Sequence, residues 1–262
     1  MMSEYLILGP FFAFIFGLIM GSFINCLAWR LHLGESVWGR SKCPKCQNQI
    51  SWYDNLPLLS FMLLKGRCRH CQKGISWHYP LVELITGLLF YFTFLSFATE
   101  PLKMIYALVV VSILVLVFIF DYRWSLIPVS FLTGGALVVL LLGVLINYTN
   151  LGNYLFLSVF FAFVGGFFFW LQYIITKKKG IGEGDIWLGV FLGLSFPSFK
   201  ELLVVILSAY FIGSLVGLLF ILLKRKQWGS QLPLGVFLTI GGVIALFWSE
   251  FIANWYLGLF QL

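Results

Sequence analysis

Runs of about 20 mainly apolar residues recur from one end of this chain to the other. Each is long enough to cross the ~30 Å hydrocarbon core of a bilayer as an α-helix. Eight such spans are predicted, at roughly 5–29, 81–99, 102–121, 127–147, 153–176, 185–199, 201–223 and 232–260. Backbone polar groups in lipid must be satisfied inside the protein, so the spans read as helices. The expected fold is an all-α polytopic membrane protein. Composition agrees: 61% of the 262 residues are hydrophobic and 10% charged, against about a quarter charged in a soluble domain. The first span has no basic residue ahead of it, no short apolar core and no small-residue cleavage site, so it reads as a retained helix. The sixth is short, which predicts that it begins inside the bundle or in a cavity.

Lysine and arginine set the orientation. Arg30, Arg40, Lys42, Lys45, Lys65, Arg67, Arg69 and Lys73 lie in or beside the first loop. Arg123 follows the third span, Lys177, Lys178 and Lys179 the fifth, and Lys224, Arg225 and Lys226 the seventh. Alternating spans put these 15 on one face and leave Lys103 and Lys200 on the other. The positive-inside rule makes the crowded face cytoplasmic, with both termini outside. The same bias explains the net charge of +7: anionic lipid headgroups are the expected partner of these cations, and no nucleic acid is.

The chain then divides into a first transmembrane helix (1–30), a Cys-rich cytoplasmic loop (31–80) and a seven-helix core (81–262). The loop carries Cys43, Cys46, Cys68 and Cys71 in the pattern C-x2-C-x21-C-x2-C. Two thiolate pairs on tight turns suit one tetrahedral Zn²⁺, and four Cys leave no open position, so the knuckle reads as structural. About 50 residues bury little core, which a metal cross-link offsets. Two disulfides are the alternative, disfavoured in a reducing cytoplasm; redox C-x-x-C pairs are another. His70 lies inside the second knuckle and reads as solvated, with replacement of a Cys ligand as the other reading. Cys26, in the first span, reads as a packing residue.

Acids are few in this chain, and among those that touch the membrane are Glu83, Asp121 and Asp185, with Glu183 beside the last. An ionisable residue there costs several kcal/mol unless paired or hydrated and by default suggests function. The third span runs inward and ends at Asp121, and the sixth starts inside at Asp185. Both aspartates are therefore expected at one depth, near the cytoplasmic surface. Two carboxylates sharing a site do not both ionise easily, so one serves as general acid and the other as general base on a water. Gly182 and Gly184 are expected to permit positive φ and to let a substrate backbone approach. Glu183 is a weaker candidate, because residues two apart do not share a helix face. Plainer readings stand beside these: Asp185 as an N-cap, Asp121 as a partner of Arg123, or both as proton carriers in a transporter.

Together these features resemble the type IV prepilin peptidases, the leader peptidase/N-methyltransferases, across nearly the whole chain. The stretch GSFINCLAWRL (21–31) is similar to the family's opening motif, and residues 43–83, from CPKC to YPLVE, to its cytoplasmic loop. FDYRWSLIP (120–128) resembles its first catalytic aspartate motif and GIGEGDIWLG (180–189) its G-x-G-D motif. Three places depart from the pattern. Trp187 stands where Lys is usual, Tyr122-Arg123-Trp124 where Leu and an acid follow the first aspartate, and LPLGVF (232–237) where P-F-G-P is common. They bear on substrate preference and rate and leave both aspartates in place.

The resemblance implies two reactions. One is cleavage of a short basic leader from pilin-like precursors, just after a glycine at the cytoplasmic membrane edge. The other is S-adenosylmethionine-dependent methylation of the new N-terminus. It also implies catalytic roles for Asp121 and Asp185, an indirect role for the four loop cysteines in methyl transfer, and a bacterial cytoplasmic membrane location. Glu83 reads as a buried polar pairing, with participation in methyl transfer as the bolder alternative. No Rossmann-type glycine fingerprint is present. Two other classes of function remain: a proton-coupled transporter, which half-to-half repeats would favour, and a non-catalytic assembly factor for a pilus or secretion machine.

Overall fold

The computed structural model describes residues 2–178, 180–224 and 232–258, and their side chains except those of residues 2–7 and 257. Lys179, Arg225 and Lys226, used above to orient the chain, lie outside the described residues. Among the described residues the regular structure is helical: α1 (Met2–Leu33), α2 (Leu59–Leu63), α3 (His78–Phe97), α4 (Pro101–Trp124), α5 (Val129–Ile146), α6 (Leu151–Ile175), α7 (Glu183–Ser195), α8 (Phe199–Leu222) and α9 (Leu234–Gly258). Local chemistry sets several starts. Pro101 opens α4, where a missing N–H costs nothing. Ser198 caps α8, its hydroxyl accepting the Glu201 N–H at 3.5 Å.

Seven of these helices are long and apolar enough to cross a membrane: α1, α3, α4, α5, α6, α8 and α9. The seventh in chain order, α7, has 13 residues, about 20 Å at 1.5 Å per residue, and falls short of the ~30 Å core. The stretch expected as the sixth span, 185–199, forms a shorter helix, Glu183–Ser195. Large apolar side chains such as Phe156, Phe163 and Phe211 are exposed on the long helices, as lipid-facing residues are.

The chain forms two compact units, residues 1–104 and 105–262. In the first, α3 packs along α1, and the Cys-bearing segment joins them. Sequence reasoning had grouped α3 with the later helices. A GxxxG step on α1 shows why it pairs here: a Cβ on Gly17 would lie 2.8 Å from the Gly87 Cα, and one on Gly21 2.8 Å from the Glu83 Cα. Close backbone approach of this kind drives association in lipid, where burying a leucine from hydrocarbon gains almost nothing by transfer.

The second unit contains α4–α9. Its core is formed by Leu114, Leu132, Phe169, Phe191, Leu192 and Leu238, among others. Here α7 is held against α6 through another glycine pair. A Cβ on Gly193 would run into the Phe161 carbonyl and come within 2.9 Å of the Ala162 Cα, and one on Gly189 would lie 2.6 Å from the Gly165 oxygen. Backbone cannot yield as a side chain can. Gly193→Leu is therefore expected to cost about 3 kcal/mol or more and to disturb Asp185, which lies two turns away on the same face of α7. Thermal unfolding in detergent would check this, and an unchanged Tm would refute the packing argument.

Candidate active site and metal centre

In the second unit two buried carboxylates lie at helix ends. Asp121 sits in the last turn of α4, where the helix stops at Trp124 and Ser125 adopts a left-handed φ of 51°. Its Oδ2 accepts the Val236 N–H at 2.8 Å. Val236 belongs to the first turn of α9, whose N–H groups have no partner within the helix and carry partial positive charge. Asp185 is the third residue of α7, and its Oδ2 accepts the Gly182 N–H at 3.0 Å. The N-cap is thus Gly182, and Asp185 is the residue that reaches back to it, rather than the cap. Asp121 is within electrostatic reach of Asp185. Ile127 links the two places: it packs against Gly184, next to Asp185, and against Gly235, which lies on Asp121.

The nearby glycines do something other than expected. Gly182 has φ −82° and Gly184 lies in the first turn of α7, so neither uses a positive φ. Their value is space. A Cβ on Gly184 would be 2.7 Å from the Ile127 Cβ, so α7 meets the segment after α4 there. Glu183 parts company with Asp185: it is exposed and accepts the Tyr173 hydroxyl at 2.5 Å. Trp187 is exposed, two residues on and off the Asp185 face. Arg123 lies over the Trp124 ring, 4.8 Å from its centroid.

Two neighbours escaped the sequence reading. Gly235 packs on the first aspartate: a Cβ there would lie 2.8 Å from Asp121 Oδ2 and 3.3 Å from Ile127 Cδ1. The LPLGVF stretch, noticed only as a departure, is the element that holds Asp121. Because a carboxylate swings aside more cheaply than backbone moves, Gly235→Ala should leave the fold intact and break the Val236 bond. We expect the kcat/KM of any reaction that uses Asp121 to drop about 100-fold, the size of effect that follows a ~1 Å misplacement, with an unchanged Tm. Wild-type kinetics in this variant would exclude a positioning role. The other neighbour is Tyr210 on α8, which donates to Gln172 Oε1 at 2.7 Å and stands within electrostatic reach of Asp185.

In the first unit, Cys43, Cys46, Cys68 and Cys71 converge, with all four Sγ atoms within 4.8 Å of one another. Four thiolates 2.3 Å from a shared Zn²⁺ stand about 3.8 Å apart, so the donor set fits a metal. The two turns are near copies: CPKCQNQISW (43–52) and CRHCQKGISW (68–77) share six of ten positions, a repeat the spacing argument passed over. In each, the first Cys N–H bonds to a carbonyl five residues on (Asn48, 2.9 Å; Lys73, 3.0 Å), and the Gln after the second Cys takes a positive φ (Gln47, 60°; Gln72, 55°). Lys45 Nζ donates to the Gly74 carbonyl at 2.8 Å and ties one turn to the other. The Cys71 and His70 N–H groups hold the Cys68 thiol down at about 7, while burial and the neighbouring thiols push Cys46 up to about 11, as expected of crowded thiols that share one negative charge. Arg69 grips Asp54 with two bonds of 2.6 and 2.8 Å and holds its carboxyl below the usual range. His70 is exposed and outside the thiol cluster. Cys26 also lies outside it, 3.6 Å from the Ser41 hydroxyl, so it contacts the loop as well as packing in its helix.

A multi-pass membrane protein with carboxylates in electrostatic contact in one unit and a four-thiol centre in the other is built like a membrane-embedded aspartic peptidase with an accessory module. Two protein families match the chain along the same division: Bacterial Peptidase A24 N-terminal domain over residues 15–97 and Type IV leader peptidase family over 108–222. The chain belongs to the type IV leader peptidase family, the prepilin leader peptidase/N-methyltransferases. It is 33% identical over 278 residues to the prepilin leader peptidase/N-methyltransferase of Aeromonas salmonicida (strain A449), covering 93% of this chain and 92% of the relative. The protein of the same description from Myxococcus xanthus (strain DK1622) is 37% identical over 223 residues, 82% of this chain and 64% of the relative. That from Legionella pneumophila is 28% identical over 282 residues, 97% and 94%. No solved structure matches the chain.

Proposed function

We propose that this protein removes the basic leader of type IV prepilin-like precursors after a glycine at the cytoplasmic edge of the membrane, then methylates the new N-terminal residue. The observation that carries the reading is the pair of buried aspartates, each hydrogen-bonded to a backbone N–H at the start of a helix, with Ile127 packed against the glycines beside both. One carboxylate takes a proton from water as the oxygen attacks the scissile carbonyl. The other, protonated, gives its proton to the leaving nitrogen. Gly182, beside Asp185, lines the approach of the substrate backbone, while Gly184 serves it only by letting α7 close on Ile127.

In this reading the chain crosses the bacterial inner membrane eight times, with both termini outside and the 31–80 loop inside. The sixth crossing is made by α7 together with the non-helical residues before and after it, which other helices shield from lipid. A basic leader is retained on the cytoplasmic side by the same rule that orients the enzyme, so the scissile bond lies at the depth proposed for Asp121 and Asp185. Cys43, Cys46, Cys68 and Cys71 hold a structural Zn²⁺. S-adenosylmethionine supplies a methyl group on a sulfonium, residues 105–262 form the peptidase core, and the 31–80 loop is a cytoplasmic module joined to α1 and α3.

Co-expression with a pilin precursor and intact-mass measurement of the product tests both steps. Loss of the leader plus about 14 Da for one methyl group is expected. Leader loss without the added mass would leave a peptidase alone, and an uncut precursor would remove the reading.

A further inference from the structure

A third buried carboxylate plays no part in the peptidase chemistry. Glu83 in the first turns of α3 is 8% exposed, and across from it on α1 Asn25 is 2% exposed. The Asn25 Nδ2 donates to the Tyr79 carbonyl at 3.2 Å, one turn before Glu83, which fixes the direction of the amide. Its Oδ1 is buried and accepts no hydrogen bond. Glu83 Oε2 accepts the Leu58 N–H at 2.9 Å, and Ser22 lies against the same carboxylate. Leu58 has φ 58° and ψ −49°, the centre of a tight turn closed by the Leu59 N–H on the Pro57 carbonyl at 2.6 Å. A leucine there is strained, and such strain persists only where the surroundings over-determine it; it concentrates at functional sites.

The cluster is rich in acceptors and short of donors. One N–H from Leu58 and the Ser22 hydroxyl do not exhaust a carboxylate, which has about four lone-pair sites on its two oxygens, and the Asn25 oxygen has nothing. Water could serve one acceptor, but a buried carboxylate also seeks positive charge. A primary ammonium meets both demands, with three donors and a charge. We infer that Glu83 and Asn25 bind the α-ammonium of the shortened substrate, which rests on the reading that the enzyme methylates the end it exposes.

Glu83 then accepts one proton from the ammonium, which frees the nitrogen lone pair. The nitrogen–carbon bond forms as the carbon–sulfur bond of the sulfonium donor breaks, and both electrons of that bond leave on sulfur. The product is a secondary ammonium and a neutral thioether, and the Glu83 proton passes to water.

The test separates this role from that of a mere clamp on Leu58. Glu83→Gln keeps an oxygen to accept the Leu58 N–H and removes the charge. Binding of a synthetic peptide matching the mature N-terminus, with its α-amine free or acetylated and its lysines unchanged, is measured on the full-length protein in detergent without methyl donor. The wild type should prefer the free amine by about tenfold, as one charge-assisted hydrogen bond provides, and Glu83→Gln should show no preference. Equal binding of both peptides by the wild type, or a preference that survives in the variant, overturns the site. The product mass is read in parallel. Methylation should fall about 100-fold in Glu83→Gln, while continued cleavage shows that the variant folds. If that variant fails to cleave, Asn25→Leu decides: a weakened amine preference supports the site, and an unaltered one overturns it. A wild type that prefers the free amine but adds no methyl group would uphold the site and refute the methylation reading.

Discussion

Replacing Asp121 by Asn is expected to lower leader cleavage by about 10³-fold or more, and Asp185→Asn to do the same. The substitution is close to isosteric. An Asn oxygen can still accept the Val236 N–H in one case and the Gly182 N–H in the other, so each helix start should keep its partner. What disappears is the ability to take or give a proton. Because the two groups act as one unit, the double variant should be no slower than the slower single one. Unfolding temperatures within about 2 °C of wild type would show that chemistry, not structure, was removed. Cleavage that survives either substitution would sink the catalytic assignment and favour a transporter or an assembly factor.

The second large effect concerns the thiol centre. The purified protein is expected to carry one zinc per chain, and Cys46→Ser combined with Cys71→Ser to carry none. Structural zinc contributes about 10–16 kcal/mol in small metal-folded peptides at neutral pH, far more than any other contact in this loop can replace. The exposed Arg69–Asp54 pair, even with two bonds, belongs to a class worth about 1 kcal/mol or less. Loss of the metal, by mutation or by a chelator under reducing conditions, should therefore open the loop to protease within residues 31–80 and spare the helices. All five cysteines are free in the structure. A metal-free protein whose loop resists protease under reductant would rule out the zinc assignment.

The two proteolysis outcomes also bear on the ammonium site. Leu58, which Glu83 holds, lies between the two knuckles. An opened loop should release that contact and weaken amine discrimination without altering either aspartate of the second unit.

Much of this could be read from the amino-acid order alone. Span lengths follow from the apolar runs, because a bilayer demands about 20 residues of helix whatever the neighbours are. The paired C-x2-C turns could be read because metal ligation is a local matter of spacing, and the repeat in 43–52 and 68–77 carries the same information twice. Asp121 and Asp185 were conspicuous because an acid at the end of an apolar run is costly. What only the tertiary structure decided concerns partners. The Val236 N–H comes to Asp121 from 115 residues away, and Gly184 proved to be small for the sake of Ile127 and not for its backbone angle. The pairing of α3 with α1, and the bond from Leu58 to Glu83, were equally hidden. The physical reason is common to all four. Membrane helices are apolar on every side, so hydrophobic patterning does not mark the face that packs, and a glycine marks a close contact without naming what it touches.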